Sequence, residues 1–438
     1  MKRIFLALSL ILSLTMVSAQ PRTPEDAQKA ITKAQAATDD AKKATKPDTW
    51  IKLAKAYVDA YDQPTKDIQP GMQQVLVKQA LKTQQMIGTS ELTGPQGTYV
   101  VESYADKDLY YNPAGGLEFF RVTKPAVEGD LLGSAISALE KAKELDVKGS
   151  KSETLTVMMN DIHDKIANQA LYEYYVGNFA SSAEFFKKAV ECQASPVLGK
   201  VDSVDIYYAA LMLNESGNKA EAIEYFKKCL DMGYYQEGNT FSNLADIYRQ
   251  EGNDEARKEV LEEGFLKFPE NKFILTNIIN YYVDADEDTE KLFTLLHKAQ
   301  EIDPQNPYLY YAEAQVFEKL KDIDNAAAFY RKSYEMNNEY LWGMYGMGAL
   351  YYNTFLDLQE QAAKADDAQY AILEKQMEQM LRNAVEPFEI AFDNTKDPEM
   401  KEACARPLKT ICFIFREEPE FKDRYEKYNG YLNSLNGE

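Results

Sequence analysis

Apolar residues in this chain recur every three or four positions over most of its length and seldom alternate with polar ones. In "NKAEAIEYFKKCLDMG", residues 218–233, Ala222, Tyr225, Phe226, Cys229 and Leu230 fall on one face of a predicted helix. Gly217 and Asn218, residues that tolerate left-handed backbone, mark a tight turn just before it. The same arrangement returns in "YYVGNFASSAEFFKKAVE" at 174–191, with Gly177-Asn178, and in "YRQEGNDEARKEVLEEGFLKFPEN" at 248–271, with Gly252-Asn253. Gly217 to Gly252 is a step of 35 residues, and so is Pro269 to Pro304. A period of this size predicts a stack of helix pairs, each unit burying its apolar face against the next.

Small residues recur where two helices must approach closely. They are Ala170, Ser182 and Ala189; Ala210, Ala222 and Cys229; Ala314, Ala326 and Ser333; and Gly348, Ala384 and Ala391. Larger side chains there would hold the helices apart. This pattern resembles the tetratricopeptide repeat, whose unit is about 34 residues, with an aromatic at its fourth position and small residues at its eighth, twentieth and twenty-seventh. Residues 307–338 supply Tyr310, Ala314, Phe317, Ala326, Tyr330 and Ser333 in that register. The resemblance covers most of residues 148–397 and implies an all-α protein, a right-handed α-solenoid of helix hairpins.

The repeat has departures. Asn280 and Leu292 occupy small positions in the unit at 273–306. The unit beginning near Leu341 is interrupted at about 354–380 by a stretch rich in helix formers, read as extensions of both helices or an added hairpin. A unit near the front is split: Trp50, Leu53, Ala54 and Tyr57 mark its first helix, and Ala135, Leu139 and Ala142 its second. Between them, at about 64–130, "QQVLVKQALKTQQM" reads as helix, while "TYVV" and "LEFFRV" read as strands of a small β-hairpin insertion. Residues 20–147 are thus expected to hold a cap helix, with Thr23 as N-cap and Pro24 at its first position, and the split unit. Residues 148–397 form the array, and 398–438 a capping helix pair.

Residues 1–19 stand apart: Lys2 and Arg3, the apolar run "IFLALSLILSL", then small residues at Val17 and Ala19. That is the pattern of a cleaved export signal, too short in its apolar part to span a bilayer. No later stretch reads as a membrane span, so a periplasmic or else secreted protein is expected. Losing Lys2 and Arg3 would take the formal charge from −21 to −23. Such a charge repels nucleic acid phosphates and anionic lipid. Export permits disulfides, and a Cys192–Cys229 bridge is one option, although Cys229 falls where a small buried residue is wanted. Cys404 and Cys412 lie about 12 Å apart along one predicted helix and cannot bridge there.

Chemistry has few places to reside. The two histidines, His163 and His297, have no metal spacing, and no cysteine is placed with a histidine partner. Asp284, Asp286 and Asp288 have calcium-loop spacing, but Thr289 and Leu295 stand where that loop needs glycine and glutamate, so Asp288 or Thr289 reads as a helix cap. "TGPQG" and "NPAGG" flank strands and read as turns. The expectation is a protein without enzymatic activity, cofactor or metal, and nothing in the pattern sets an oligomeric state.

The resemblance implies that the first helix of each unit lines a concave face. By repeat position the groove residues are Tyr174 and Tyr175; Tyr207, Leu211 and Asn214; Arg249 and Gln250; Asn277 and Tyr281; Tyr308, Tyr311, Gln315 and Lys319; and Trp342, Tyr345 and Tyr352. Tyrosine offers contact area plus a hydroxyl, which suits a protein or peptide partner; alternatively these rings pack between neighbouring first helices. The clamp some relatives use for a C-terminal carboxylate is missing, since Ala167, Leu171, Tyr207, Leu211, Ser242 and Asp246 occupy its places. The expected function is an exported scaffold that binds a protein or peptide in the bacterial envelope. A small-molecule or glycan-binding component of a nutrient-capture system is the alternative.

Overall fold

The computed structural model describes residues 21–284 and 289–435. The leader at 1–19, Asp286, Asp288 and the side chain of Thr289 lie outside the described residues. The chain forms two compact units, Met1–Tyr234 and Tyr235–Glu438.

The first unit opens with α1 (Pro24–Thr38), α2 (Pro47–Asp62) and the short α3 (Gln74–Ala80). Four strands follow: β1 (Gly88–Gly94), β2 (Gly97–Ser103), β3 (Lys107–Tyr111) and β4 (Leu117–Val122). Then come α4 (Leu131–Leu145), α5 (Ser152–Tyr175), α6 (Phe179–Ala194), α7 (Ser203–Glu215) and α8 (Lys219–Asp231). α1 begins where the Thr23 side chain accepts from the Asp26 backbone N–H, and Pro24 occupies a position whose N–H has no helical partner to lose. Although the strands intervene, α2 and α4 pair: Leu53 and Ala54 share one core with Ala135, Leu139 and Ala142. α5 with α6, and α7 with α8, form the next two hairpins.

The spaced small residues are where the hairpins close. Ala170, Ser182, Ala189, Ala210, Ala222 and Cys229 all have 0% exposure. The enclosed Ser182 hydroxyl donates to the Ala170 carbonyl at 2.7 Å, so the one polar group among them is satisfied.

The insertion is larger than a hairpin. Its strands form one antiparallel meander in the order β1-β2-β3-β4. One face, with Tyr99, Val101, Tyr110 and Phe119, rests on Tyr172 and Tyr175 of α5. The other, with Leu109, Tyr111 and Leu117, is covered by Val77 of α3 and by Leu81. Both faces are thus buried, as an isolated small sheet needs for stability. Two buried charges fasten the covering segment. Lys107, at 0% exposure, donates to Asp106 at 2.7 Å and to Gln84 at 2.8 Å. Glu102, at 2% exposure, accepts from Gln74 at 2.8 Å and pairs with Lys78 at 3.0 Å.

The second unit contains α9 (Asn239–Glu251), α10 (Asp254–Lys267), α11 (Lys272–Asp284), α12 (Thr289–Ile302), α13 (Pro307–Lys319) and α14 (Ile323–Met336). It continues through α15 (Trp342–Ala362), α16 (Asp367–Asn394), α17 (Pro398–Ile414) and α18 (Pro419–Leu435). The stretch at 354–380 lengthens both α15 and α16, which is the first of the two readings of it. α15 can approach its neighbours because Gly343 and Gly348 face them. A Cβ at Gly343 would stand 2.6 Å from the Tyr330 carbonyl oxygen, and one at Gly348 would stand 2.7 Å from the Phe388 ring. Ala314, Ala326, Ser333, Ala384 and Ala391 again have 0% exposure.

All four cysteines are free and buried, so the Cys192–Cys229 bridge does not form. The Cys192 thiol donates instead to the Met159 carbonyl at 3.8 Å.

Candidate partner-binding face

The first helices in the second unit are α9, α11, α13 and α15, and most of the predicted groove residues lie on them. On α9, Arg249 and Gln250 are exposed and both donate to Asp246, at 2.6 Å and 2.7 Å. On α11, the half-buried Asn277 donates to the Phe273 carbonyl at 2.9 Å, while Tyr281 is buried, with the Arg257 guanidinium 5.4 Å from its ring. α13 carries Tyr308, Tyr311, Gln315 and Lys319. Tyr308 and Tyr311 are half-buried and both meet Tyr340, with ring centroids 4.5 and 5.9 Å apart. Burial first, then the nearby Glu318 charge, pushes the Tyr311 hydroxyl up to about 12, so it remains a neutral donor and acceptor. Gln315 donates to that hydroxyl at 3.4 Å. On α15, Trp342 lies under the Lys272 ammonium at 4.2 Å and edge-on to Tyr345 at 5.6 Å, while Tyr352 is half-buried beside Phe355.

Between α11 and α13 this face opens into a cleft of about 490 Å³. Thr276, Ile279, Asn280, Gln315, Glu318, Lys319 and Lys321 line it. Gln315 and Lys319 were among the predicted groove residues. Thr276, Asn280 and Lys321 were not, and neither were Lys272 and Tyr340, which pack on the same face. Asn280 did carry a signal, since an amide at a position that wants a small residue leaves room beside it. A second hollow, of about 540 Å³, lies along α4, edged by Glu140, Lys141, Lys143 and Glu144. Its charged residues come from a single solvated helix face, so nothing converges on a ligand there.

In the first unit the predicted residues are already engaged. Tyr174 is buried, and its hydroxyl accepts from Gln96 in the β1–β2 turn at 2.9 Å. Gly94 of β1 sits so close to the Tyr175 carbonyl oxygen that a Cβ would come within 1.9 Å of it. The Tyr175 ring meets Phe119 at 5.2 Å. Tyr207 is buried among Tyr208, Phe226 and Tyr234. Leu211 and Asn214 are half-buried on the next turn of α7. The sheet thus rests on Tyr174 and Tyr175.

His163 joins three helices: one ring nitrogen is 3.1 Å from Asp164, and the other is 2.7 Å from Asp205 of α7 and 3.0 Å from Gln193 of α6. Burial opposes its charge, but the hydrogen bonds and charges of Asp164 and Asp205 outweigh burial and raise it to about 9. A folded value above the unfolded one means protonation favours folding. This stabilisation is complete below about pH 6.5 and is lost as pH rises through 9. Thermal melts of the wild type should therefore show Tm falling between pH 6.5 and 9, and His163→Gln should flatten that slope. Equal slopes in the two proteins would rule out the coupling. His297 is mostly exposed and stands 3.3 Å from Glu313. Burial pushes the thiols of Cys192, Cys229 and Cys404 to about 12 and that of Cys412 to about 11, where thiolate is scarce at neutral pH. Among the described residues, no group of three or more histidine, cysteine or acidic side chains could hold a metal ion. No helix among them is long and apolar enough to cross a membrane.

The tetratricopeptide repeat family model matches residues 197–382. No curated protein matches the chain. Among solved structures, a TPR repeats protein from Bacteroides fragilis is similar at 18% identity and a TM-score of 0.28, over 56% of this chain and 97% of that one. A tetratricopeptide repeat protein from Parabacteroides merdae is similar at 12% identity and a TM-score of 0.31, over 61% and 98%. The human IFIT1 dimer with m7Gppp-AAAA is similar at 16% identity and a TM-score of 0.30, over 68% of this chain and 64% of that one. Likenesses at these scores say nothing about a ligand. Tetratricopeptide repeats commonly serve as non-enzymatic scaffolds for contacts between proteins. The repeat match over residues 197–382, together with the stacked helix hairpins, identifies that stretch as tetratricopeptide repeats.

Proposed function

We propose that the protein is an exported, non-enzymatic adaptor that holds an extended segment of a partner protein against the first-helix face of its second unit. The open cleft between α11 and α13 carries this reading. It combines an apolar floor at Ile279 with amide and hydroxyl groups at Asn280, Gln315 and Thr276, the mixture that orients a peptide. In the first unit, by contrast, the sheet covers Tyr174 and Tyr175. The leader-like pattern at residues 1–19 supports action outside the cytoplasm, in the periplasm of a bacterial envelope. The glycan alternative has less support, because aromatic ring faces it would use are engaged: Trp342 by Lys272 at 4.2 Å and Tyr308 by Tyr340 at 4.5 Å.

A photoreactive residue placed at Gln315 should crosslink one defined protein in envelope extract, while the same residue at exposed Thr89 on β1 should not. Crosslinking from Thr89 alone would move the binding site to the sheet. Glycan binding that is lost in Tyr308→Ala would replace the adaptor reading altogether.

A further inference from the structure

Among the described residues, Lys107 is the one lysine whose side chain is fully enclosed, at 0% exposure. Its ammonium donates to the Asp106 carboxylate at 2.7 Å and to the Gln84 carboxamide oxygen at 2.8 Å. Taking an ion pair out of water costs more than its attraction readily returns, so stability alone is a poor reason for this lysine. The three groups are also the parts of an acyl transfer. Lysine supplies an amine nucleophile, glutamine a carboxamide carbon, and aspartate a carboxylate that can take up and hand on a proton.

Separate parts of the insertion hold them in place. Lys107 opens β3, opposite Val122 of β4. Asp106 lies in the turn between β2 and β3, where its backbone carbonyl accepts from the N–H groups of Thr123 and Lys124 at 2.9 and 3.1 Å. Gln84 follows α3, and its backbone N–H donates to the carbonyl of Leu81, a residue buried against the sheet. The carboxamide carbon stands one bond, about 1.23 Å, beyond the oxygen that Lys107 contacts. The amine is therefore no more than about 4 Å from that carbon, and a rotation of the carboxamide brings the two to the reacting range of about 3–3.5 Å. Enclosure shields the amine from water, while Gln84 is exposed and gives a leaving group a way out. Asp106, at 31% exposure, can exchange protons with solvent.

We propose that the folded chain joins Lys107 to Gln84 through an isopeptide bond, with Asp106 carrying the protons. Asp106 takes a proton from the Lys107 ammonium, and the neutral amine attacks Cδ of Gln84. The Nζ–Cδ bond forms and the Cδ–Nε2 bond breaks as Asp106 protonates Nε2. Of the three protons on Nζ, one stays in the new amide and two depart with Nε2, which leaves as ammonium. Nothing is oxidised or reduced. The enclosed ion pair gives way to a neutral amide, and the segment covering the sheet becomes covalently tied to it. All four cysteines are free, so this is a cross-link that no change in redox conditions would open.

The test is peptide mapping by mass spectrometry of the purified full chain, held folded at neutral pH until its intact mass is constant. No lysine or arginine lies between Lys82 and Lys107, and trypsin does not cut after an acylated lysine. The wild type should therefore give a tryptic fragment spanning residues 83–121 that lacks one ammonia. Further cleavage after Glu91 and Glu102 should leave residues 83–91 joined to the piece that carries Lys107. Gln84→Ala and Lys107→Arg should show no link, and Asp106→Asn should form it at least about tenfold more slowly. Wild-type chain purified and kept in urea should not form it. Unlinked fragments 83–107 and 108–121 from the folded wild type would overturn the proposal. A link that forms equally in urea would overturn the part assigned to the fold. Equal rates in the wild type and Asp106→Asn would overturn the part assigned to Asp106.

Discussion

Glu173→Ala should cost the first unit about 3 kcal/mol, at the lower end of the range for removing one partner of a buried ion pair. Only 4% of the Glu173 side chain is exposed. One carboxylate oxygen accepts from Arg121 of β4 at 3.0 Å and from Gln169 at 3.1 Å. The other accepts from Arg121 at 3.3 Å and from Asn178 at 2.8 Å. The carboxylate thus ties the sheet, α5 and the following turn together. Alanine would strand all three donors, although Arg121, at 34% exposure, can recover water, which is why the lower end applies. Glu173→Gln keeps the shape and one acceptor, so its loss should be smaller. Urea unfolding of both variants, with proteolysis mapped across residues 88–122, checks this. A change below about 0.5 kcal/mol in the alanine variant would mean the network does not hold the sheet.

The second large effect concerns the contact between α15 and α16. Gly348→Ala should cost about 1–3 kcal/mol, because the new methyl group would have to displace the Phe388 ring, itself only 2% exposed. Phe388→Ala should cost about 3–5 kcal/mol through the cavity it leaves. In the double variant the methyl group enters that cavity. The combined loss should therefore fall short of the sum by 1 kcal/mol or more, a coupling that denaturant titration of the four proteins measures. Strict additivity would show that something other than this ring sets the glycine requirement.

The helices and their small contact positions were legible because each unit repeats the same steric demand. Ala170, Ser182 and Ala189 recur as Ala314, Ala326 and Ser333, and all six are fully enclosed. The sheet was only half legible. β2 and β4 show apolar runs, but β1, "GTSELTG", is an exposed edge strand with a single large apolar residue, Leu92. β3, "KDLYY", is short and buried on both faces, so alternation is lost, and its first residue is a fully buried lysine that composition alone assigns to the surface. The groove positions were legible as places on first helices. Which of them remain accessible was not, because that depends on where the sheet lands: Gln96 and Gly94 are far in sequence from the Tyr174 and Tyr175 they meet.

The enclosed thiols have a practical consequence. Cys192 and Cys229 belong to the first unit, and Cys404 and Cys412 to the second; each is sealed and protonated in the native state. A thiol-reactive dye can reach them only when the surrounding helices part, so labelling rates record opening events. With mass spectrometry to say which cysteine was tagged, the unaltered molecule reports separately how often each half breathes.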